Sequence, residues 1–242
     1  MTPYQRAAIR LIDAIARSQA GNLEQTAQTI FTSLRAGGVF HVFGSGHSHA
    51  LAEEAYHRAG GLVPVNAIQE MFLTPLTPPG TSSQLERMPG LAKIILDSHD
   101  LRPGEVLMVI SNSGINPVPI EVALEGKSRG LTVVALTSLR HSQGVPTRHA
   151  SGKRLFEIAD IVLDNCGEPG DAAVRYEKFQ GAVGSTSLLA GAYVINSLAC
   201  RVVELFLAQG LTPPVYLSAN LPGGDEHNRE LEARYRGRIR GL

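Results

Sequence analysis

The chain has little cysteine, no tryptophan and no surplus of charge of either sign. Its two cysteines, Cys166 and Cys200, make neither a metal motif nor a disulfide framework, so nothing calls for an oxidising compartment. Lys+Arg and Asp+Glu balance at 22 each. That balance removes the electrostatic case for nucleic acid or an anionic membrane as a partner. No uninterrupted apolar run approaches the roughly 20 residues that span a bilayer. The first residues, MTPYQRAAIR, lack the charged-then-apolar layout of a secretory signal. Repeats, low-complexity tracts and a linker that would demand two domains are missing too. The expectation is a cytoplasmic protein with no membrane attachment. With 43% hydrophobic residues in 242, the chain has the means for one sizeable core.

What is present begins with helix. Thr2-Pro3-Tyr4-Gln5 reads as a capping box, with Thr2 as N-cap and Pro3 at the first helical position. Helical spacing follows through Ala8, Leu11, Ile12 and Ile15, then in a second phase through Leu23, Ala27, Ile30 and Leu34, with a break or kink at Gly21-Asn22. Strand and helix signals then alternate. Strands are predicted at 39–43, 62–65, 105–110, 131–136 and 160–163, and helices at 48–59, 91–98, 117–129 and 185–209. Short apolar runs separated by helices imply a parallel sheet covered on both faces. Residues 74–90, with Pro75, Pro78, Pro79, Gly80 and Pro89, read as a long irregular loop of the kind that is often functional. The tail from Gly223 is polar and is expected to end in a short exposed helix.

Open parallel sheets bind ligands beyond the carboxyl ends of their strands. Three polar clusters fall at such ends: Gly44-Ser45-Gly46-His47-Ser48, Ser111-Asn112-Ser113-Gly114, and Thr137-Ser138 leading to His141-Ser142. The first is not a dinucleotide fingerprint. Its third position is His49 rather than glycine, and the following strand ends in Asn66 rather than an acid. A P-loop would need Gly-Lys-Ser/Thr at this turn, and His47-Ser48 stands there instead. An anion cradle fits better, because glycines let backbone N–H groups approach a phosphate while serine hydroxyls donate in addition. Tight turns alone would explain one such loop; two loops with two serines each favour the anion.

The strand ending in G-x-G-x-S, at Gly44 to Ser48, and the later strand ending in S-x-S-G, at Ser111 to Gly114, resemble the hallmarks of the sugar isomerase, or SIS, domain family that binds phosphosugars. Gly184-Ser185-Thr186-Ser187 is similar to the small-residue start of a later helix in that family, and the likeness spans most of residues 35–210. With its ending Gly223-Gly224-Asp225-Glu226-His227-Asn228, the whole chain looks most like a bacterial subgroup of stand-alone SIS proteins. The resemblance implies an α/β fold: a three-layer αβα sandwich with a five-stranded parallel sheet, flavodoxin-like, plus an N-terminal helical extension. It implies one SIS domain over 1–242, with a helical segment at 1–37, the αβα core at 38–210 and a tail at 211–242. It also implies a phosphorylated sugar as ligand, no cofactor, and a homodimer or dimer-based tetramer whose sites are shared. Gly44, Ser45, Gly46, Ser48, Ser111, Asn112, Ser113 and Gly114 would hold the phosphate.

An aldose–ketose isomerase needs a base that moves a proton between C1 and C2, and a group that serves O1 and O2. His47 and Glu54 are the first candidates, with Glu70, His227 and Glu226 behind them. Phosphoheptose isomerases carry histidine and glutamate six and ten residues after the loop serine. Counted from Ser48 those positions hold Glu54 and Arg58, so no catalytic set carries over intact. Muramic acid phosphate etherases have an acid where Arg58 stands, and arabinose phosphate isomerases a lysine where His47 stands. A related sugar phosphate lyase or deglycase would start with the same proton abstraction; a non-catalytic phosphosugar sensor is the alternative. His49, Glu53 and His57, four apart, would share a helix face. Three of them on one metal ion would need to bridge about 12 Å at ~1.5 Å per residue, so no metal is expected, although two of them completed from elsewhere would suffice. Apolar surface on the first two helical phases and on the helix ending at Phe206 exceeds what five short strands cover, which marks a subunit interface. His57 or His227 would then approach the serine loops of the partner.

Overall fold

The computed structural model describes residues 1–78 and 80–242, so Pro79 lies outside the described residues. Two helices, α1 (Pro3–Ser18) and α2 (Ala20–Arg35), open the chain. The Thr2 hydroxyl caps α1 by accepting from the Gln5 N–H at 3.1 Å, as the sequence suggests. The break between the helices falls at Gln19, two residues before the expected Gly21. Then come β1 (Phe40–Gly44), α3 (His49–Ala55), β2 (Val65–Ile68), α4 (Thr81–Glu86), α5 (Leu91–Leu96), β3 (Val106–Ile110), α6 (Pro117–Ser128), β4 (Thr132–Thr137), α7 (Leu139–Gln143) and β5 (Ile161–Asp164). A two-stranded hairpin, β6 (Val174–Arg175) and β7 (Ala182–Val183), leads to α8 (Ser187–Ala208), and α9 (Gly224–Glu232) lies in the tail.

β1 to β5 form one sheet in the order β2-β1-β3-β4-β5, parallel throughout. Period-2 alternation sorts its side chains between two apolar layers. Phe40, Val42, Val106, Met108 and Val134 face α2, α3 and α8, whereas Phe43, Leu107, Val109, Val133 and Ala135 face α5 and α6. The three-layer αβα sandwich follows directly. α2 lies inside the first layer, against α8, β1, β3 and β5. α8 has 22 residues and a mean hydropathy of 1.5, long and apolar enough to cross a bilayer by composition alone. Its inner side buries Ala190, Val194, Leu198 and Val202 in the core, and Arg201 pairs with Glu24 of α2 at 2.7 Å.

The segment 74–90, expected to be irregular throughout, contains α4, and the larger departures are in β2 and α3. β2 begins at Val65, three residues later than the apolar run Leu62–Val65 suggests, because Leu62 and Val63 pair instead with Val215 and Pro214 of the tail. Asn66 is therefore not a strand end. It is a fully buried member of β2 whose Nδ2 donates to the Nδ1 atoms of His41 (3.0 Å) and His99 (3.1 Å), while its Oδ1 meets no partner among the described residues. α3 stops at Ala55 because Tyr56 is extended and His57 turns the chain back with φ +43°. His57 thus leaves the helix face it was expected to share with His49 and Glu53, and bonds Glu232 of α9 at 3.1 Å.

Beneath the tail lies a charged cluster. Glu105, just before β3, accepts from His41 Nε2 at 2.9 Å, from the Val39 N–H at 3.0 Å and from Arg238. Removing one partner of a buried, hydrogen-bonded charge pair is costly, so this cluster anchors the C-terminal segment to the amino end of the sheet.

Candidate functional site

β1 and β3 are neighbours, with Gly44 in register with Ile110, and β1 leads to β2 on one side while β3 leads to β4 on the other. Their carboxyl ends are the switch point of this sheet, the place where open α/β sheets take their ligands. The two serine-glycine loops leave from these two strand ends, side by side.

The first loop is a tight 3-10 turn, with the Ser48 N–H donating to Ser45 O at 3.1 Å. A Cβ on Gly44 would lie 2.3 Å from the Ser48 carbonyl oxygen, so only glycine fits there, and Gly46 sits at φ +56°. Ser45 is buried and its hydroxyl donates to Glu86 Oε1 at 2.6 Å. Ser48 is half-buried and His47 is exposed at the turn. His49 Nδ1 meets the Gly46 carbonyl at 2.6 Å.

The second loop is braced from below. Ser111 is buried, its N–H continues the ladder to Leu136 O, and its hydroxyl accepts from the Gly114 N–H at 3.2 Å. Asn112 accepts from Asn165 Nδ2 at 2.8 Å. Gly114 holds φ +60° in a space where a Cβ would lie 3.1 Å from Leu155 Cβ. These bonds leave Ser113, half-exposed, as the hydroxyl facing outward. Asn116 is the N-cap of α6, yet its side chain does not cap that helix. It donates to Glu86 Oε2 at 2.8 Å and accepts from Arg148 at 2.7 Å. Pro117 and Pro119 carry no N–H, so the first turn of α6 offers an anion less than most helices do.

The other candidates are elsewhere. Glu54 pairs with Arg58 and accepts from Asn196 of α8 at 2.9 Å. Glu70, just past β2, pairs with Arg240 at 2.9 Å. His227 Nε2 bonds the Val215 carbonyl at 3.0 Å within the tail, and Glu226 is exposed beside it. No hydrogen bond among the described residues joins any of these four to the serine loops. The third polar cluster is structural. Ser138 is fully buried, caps α7 by accepting from the His141 N–H, and donates to Gly167 O at 2.7 Å. Asp171 caps α8: its Oδ1 accepts from the Thr186 and Ser187 N–H groups at 3.0 and 2.8 Å.

Sequence reasoning missed Glu86, Asn116 and Arg148. The usable signals were Glu86 within the loop flagged as functional, and Asn116 at the helix start that follows the second serine loop. A depression of about 790 Å³ lies at the opposite, amino end of the sheet, lined by Ser33, Gly38, Arg102, Glu105 and Arg238. It is remote from the carboxyl edge where the two loops meet.

Comparison with known proteins places these loops in context. The sequence matches the SIS domain over residues 3–138. It is 39% identical over 239 residues to the UPF0309 protein BH0227 of Halalkalibacterium halodurans, covering 99% of this chain and 96% of the relative. It is 42% identical over 234 residues to the UPF0309 protein TTE0306 of Caldanaerobacter subterraneus, covering 96% and 95%. Among solved structures, a phosphoheptose isomerase from Francisella tularensis superposes with a TM-score of 0.55 at 17% identity, over 83% of this chain and 95% of the other. Phosphoheptose isomerase from Neisseria gonorrhoeae gives 0.53 at 18% identity, over 81% and 93%. At such identities the structural likeness speaks for the fold.

Proposed function

We propose, for a chain that belongs to the SIS domain family, that it binds a phosphorylated sugar between the β1 and β3 loops and isomerises it between aldose and ketose forms. The observation that carries this reading is the pairing of two serine-glycine loops at the switch point, one after each of two adjacent strands. The Ser113 hydroxyl, the loop N–H groups and the hydroxyls of Ser45, Ser48 and Ser111 are the phosphate donors, with Asn112 and the glycines Gly44, Gly46 and Gly114 shaping the loops. Charge-assisted bonds of this kind contribute about 1.5–3 kcal/mol each.

The sugar carbons then extend toward the open edge. His47, exposed on the first loop, and Glu70, beyond β2, lie on that carboxyl edge and are the acid/base candidates. Glu54, held by Arg58 and Asn196, is a further candidate, and it and Glu70, held by Arg240, must each leave its partner before acting as a base. His227 takes part only across a two-fold homodimer. Exposed Tyr176 and Phe179 of the β6–β7 hairpin and Leu207 of α8 support such an assembly. A cytoplasmic location suits a phosphorylated metabolite.

One observation favours a second reading. Arg58 stands where related isomerases carry an acid, and it neutralises Glu54; a phosphosugar sensor would need no base. Incubation with a panel of sugar phosphates in deuterated water, with binding read by calorimetry and exchange at C2 by NMR, separates the two. Binding with exchange supports the isomerase, and binding without exchange on a broad panel supports the sensor. No binding of any sugar phosphate contradicts both.

A further inference from the structure

Glu86 is the carboxylate that reaches between the serine loops, and nothing in the isomerase reading uses it. Its two oxygens are held from two segments, Oε1 by the Ser45 hydroxyl after β1 at 2.6 Å and Oε2 by Asn116 Nδ2 after β3 at 2.8 Å. Both donors are buried and both are neutral. Among the described residues Glu86 has no arginine, lysine or histidine partner within ion-pair distance, unlike Glu54 and Glu70.

Three further features belong to the same arrangement. Asparagine is a preferred N-cap, yet Asn116 leaves α6 uncapped and spends its amide on Glu86. Arg148 sits one bond behind, on Asn116 Oδ1 at 2.7 Å, with no acidic partner among the described residues. Finally, the segment that delivers Glu86 is bracketed by two glycines at positive φ, Gly80 at +91° and Gly90 at +85°, a conformation other residues rarely adopt. Gly90 is tied down by its N–H bond to Glu121 Oε2 at 2.8 Å, which fixes the far end of the segment.

We propose that Glu86 is a resident anion of the cradle: its carboxylate occupies donors that a ligand's phosphate needs, so it sets which anions the site accepts. The proposal rests on the phosphosugar reading and deepens it. A carboxylate bridging Ser45 and Asn116 presents the same two-oxygen pattern as one edge of a phosphate. The two negative groups cannot share the seat without strong repulsion. A phosphate that binds must therefore displace Glu86, swinging the 80–90 segment outward and leaving Asn116 and Arg148 available to the incoming group. The empty cradle is populated only when Glu86 is out, and apparent affinity falls by that fraction. Inorganic phosphate and other small anions, with no sugar contacts to add, are rejected first.

The test uses the full-length protein and calorimetric titration with inorganic phosphate, a set of hexose and heptose phosphates, and the same sugars without phosphate. Wild type is compared with Glu86→Gln and Glu86→Ala. Both variants are expected to bind inorganic phosphate and the sugar phosphates about tenfold tighter or more, with no gain for unphosphorylated sugars. Amide exchange across residues 80–90 is expected to rise when phosphate binds to wild type. Glu86 is half-buried at the end of a six-residue helix, so the variants should fold, and far-UV circular dichroism checks this. Unchanged or weaker phosphate affinity in both variants overturns the proposal while leaving the phosphosugar reading intact. If wild type and variants alike bind none of the phosphates, the phosphosugar reading fails and this proposal with it.

Discussion

Acidification tests the buried polar cluster under the tail. His99 is buried, its Nδ1 accepts from Asn66, and its Nε2 meets no partner among the described residues. Burial first of all, then the charges of Arg240 and His41, push its pKa down from 6.5 to about 4. The unfolded chain therefore binds a proton below 6.5 that the folded chain refuses until about 4. A histidine depressed in this way contributes its full stability above 6.5 and loses it as the pH falls through that window. At ~1.4 kcal/mol per pH unit the window is worth about 3 kcal/mol, a large share of a typical ~5–15 kcal/mol domain stability. Glu105 acts in the same direction lower down. Burial opposes its charge, but hydrogen bonds from His41 and the Arg102 N–H outweigh burial and hold its pKa below the usual carboxylate value. Its contribution, present above the ordinary glutamate range, goes only on further acidification. Urea denaturation at steps from about pH 7.5 to 4 gives the curve. His99→Gln keeps an acceptor for Asn66 and does not titrate. Wild type should lose about 3 kcal/mol more than this variant across the window. Parallel pH profiles for the two proteins would refute the reasoning.

Three other outcomes follow from the geometry. Gly114→Ala forces a side chain onto φ +60° and within 3.1 Å of Leu155, so it should cost about 1–3 kcal/mol by chemical denaturation and misplace Ser113. Asp171→Ala removes the cap shared by the Thr186 and Ser187 N–H groups and should lower stability by about 1–2 kcal/mol, with Asp171→Asn recovering part of it. For the homodimer, sedimentation should give twice the chain mass. If Ser113→Ala and His227→Ala are each inactive and His227 acts across the interface, mixing them should restore part of the activity; a monomer, or no recovery, counts against shared sites.

The sheet was legible because buried parallel strands read as short apolar runs: β1, β3, β4 and β5 fall within a residue or two of their expected places. β2 was misplaced for a definite reason. Leu62 and Val63 are apolar because they pack on the tail, a partner some 150 residues away, and Asn66 looks like a strand end only until His41 and His99 are known to accept its amide. The glycine positions of the loops were legible because a Cβ clash or a positive φ leaves a mark in residue type. Side-chain direction leaves no such mark. Ser111 looks equivalent to Ser113, yet it closes its own loop onto Gly114. Glu54 reads as a free carboxylate until Asn196, 142 positions on, is seen to donate to it. Glu86 lies in a six-residue helix too short to show periodicity, and the contacts that give it meaning are 41 and 30 residues distant.

The central claim is that the β1 and β3 loops together hold the phosphate of a sugar. Titration of the panel of sugar phosphates into wild type and into a Ser111→Ala, Ser113→Ala double variant tests it most directly. Loss of the Ser111 and Ser113 donors, and of the bond by which Ser111 braces its loop, should weaken every phosphosugar that binds by at least about tenfold, or ~1.4 kcal/mol, with the fold unchanged by circular dichroism. Equal affinity in the two proteins would contradict the account.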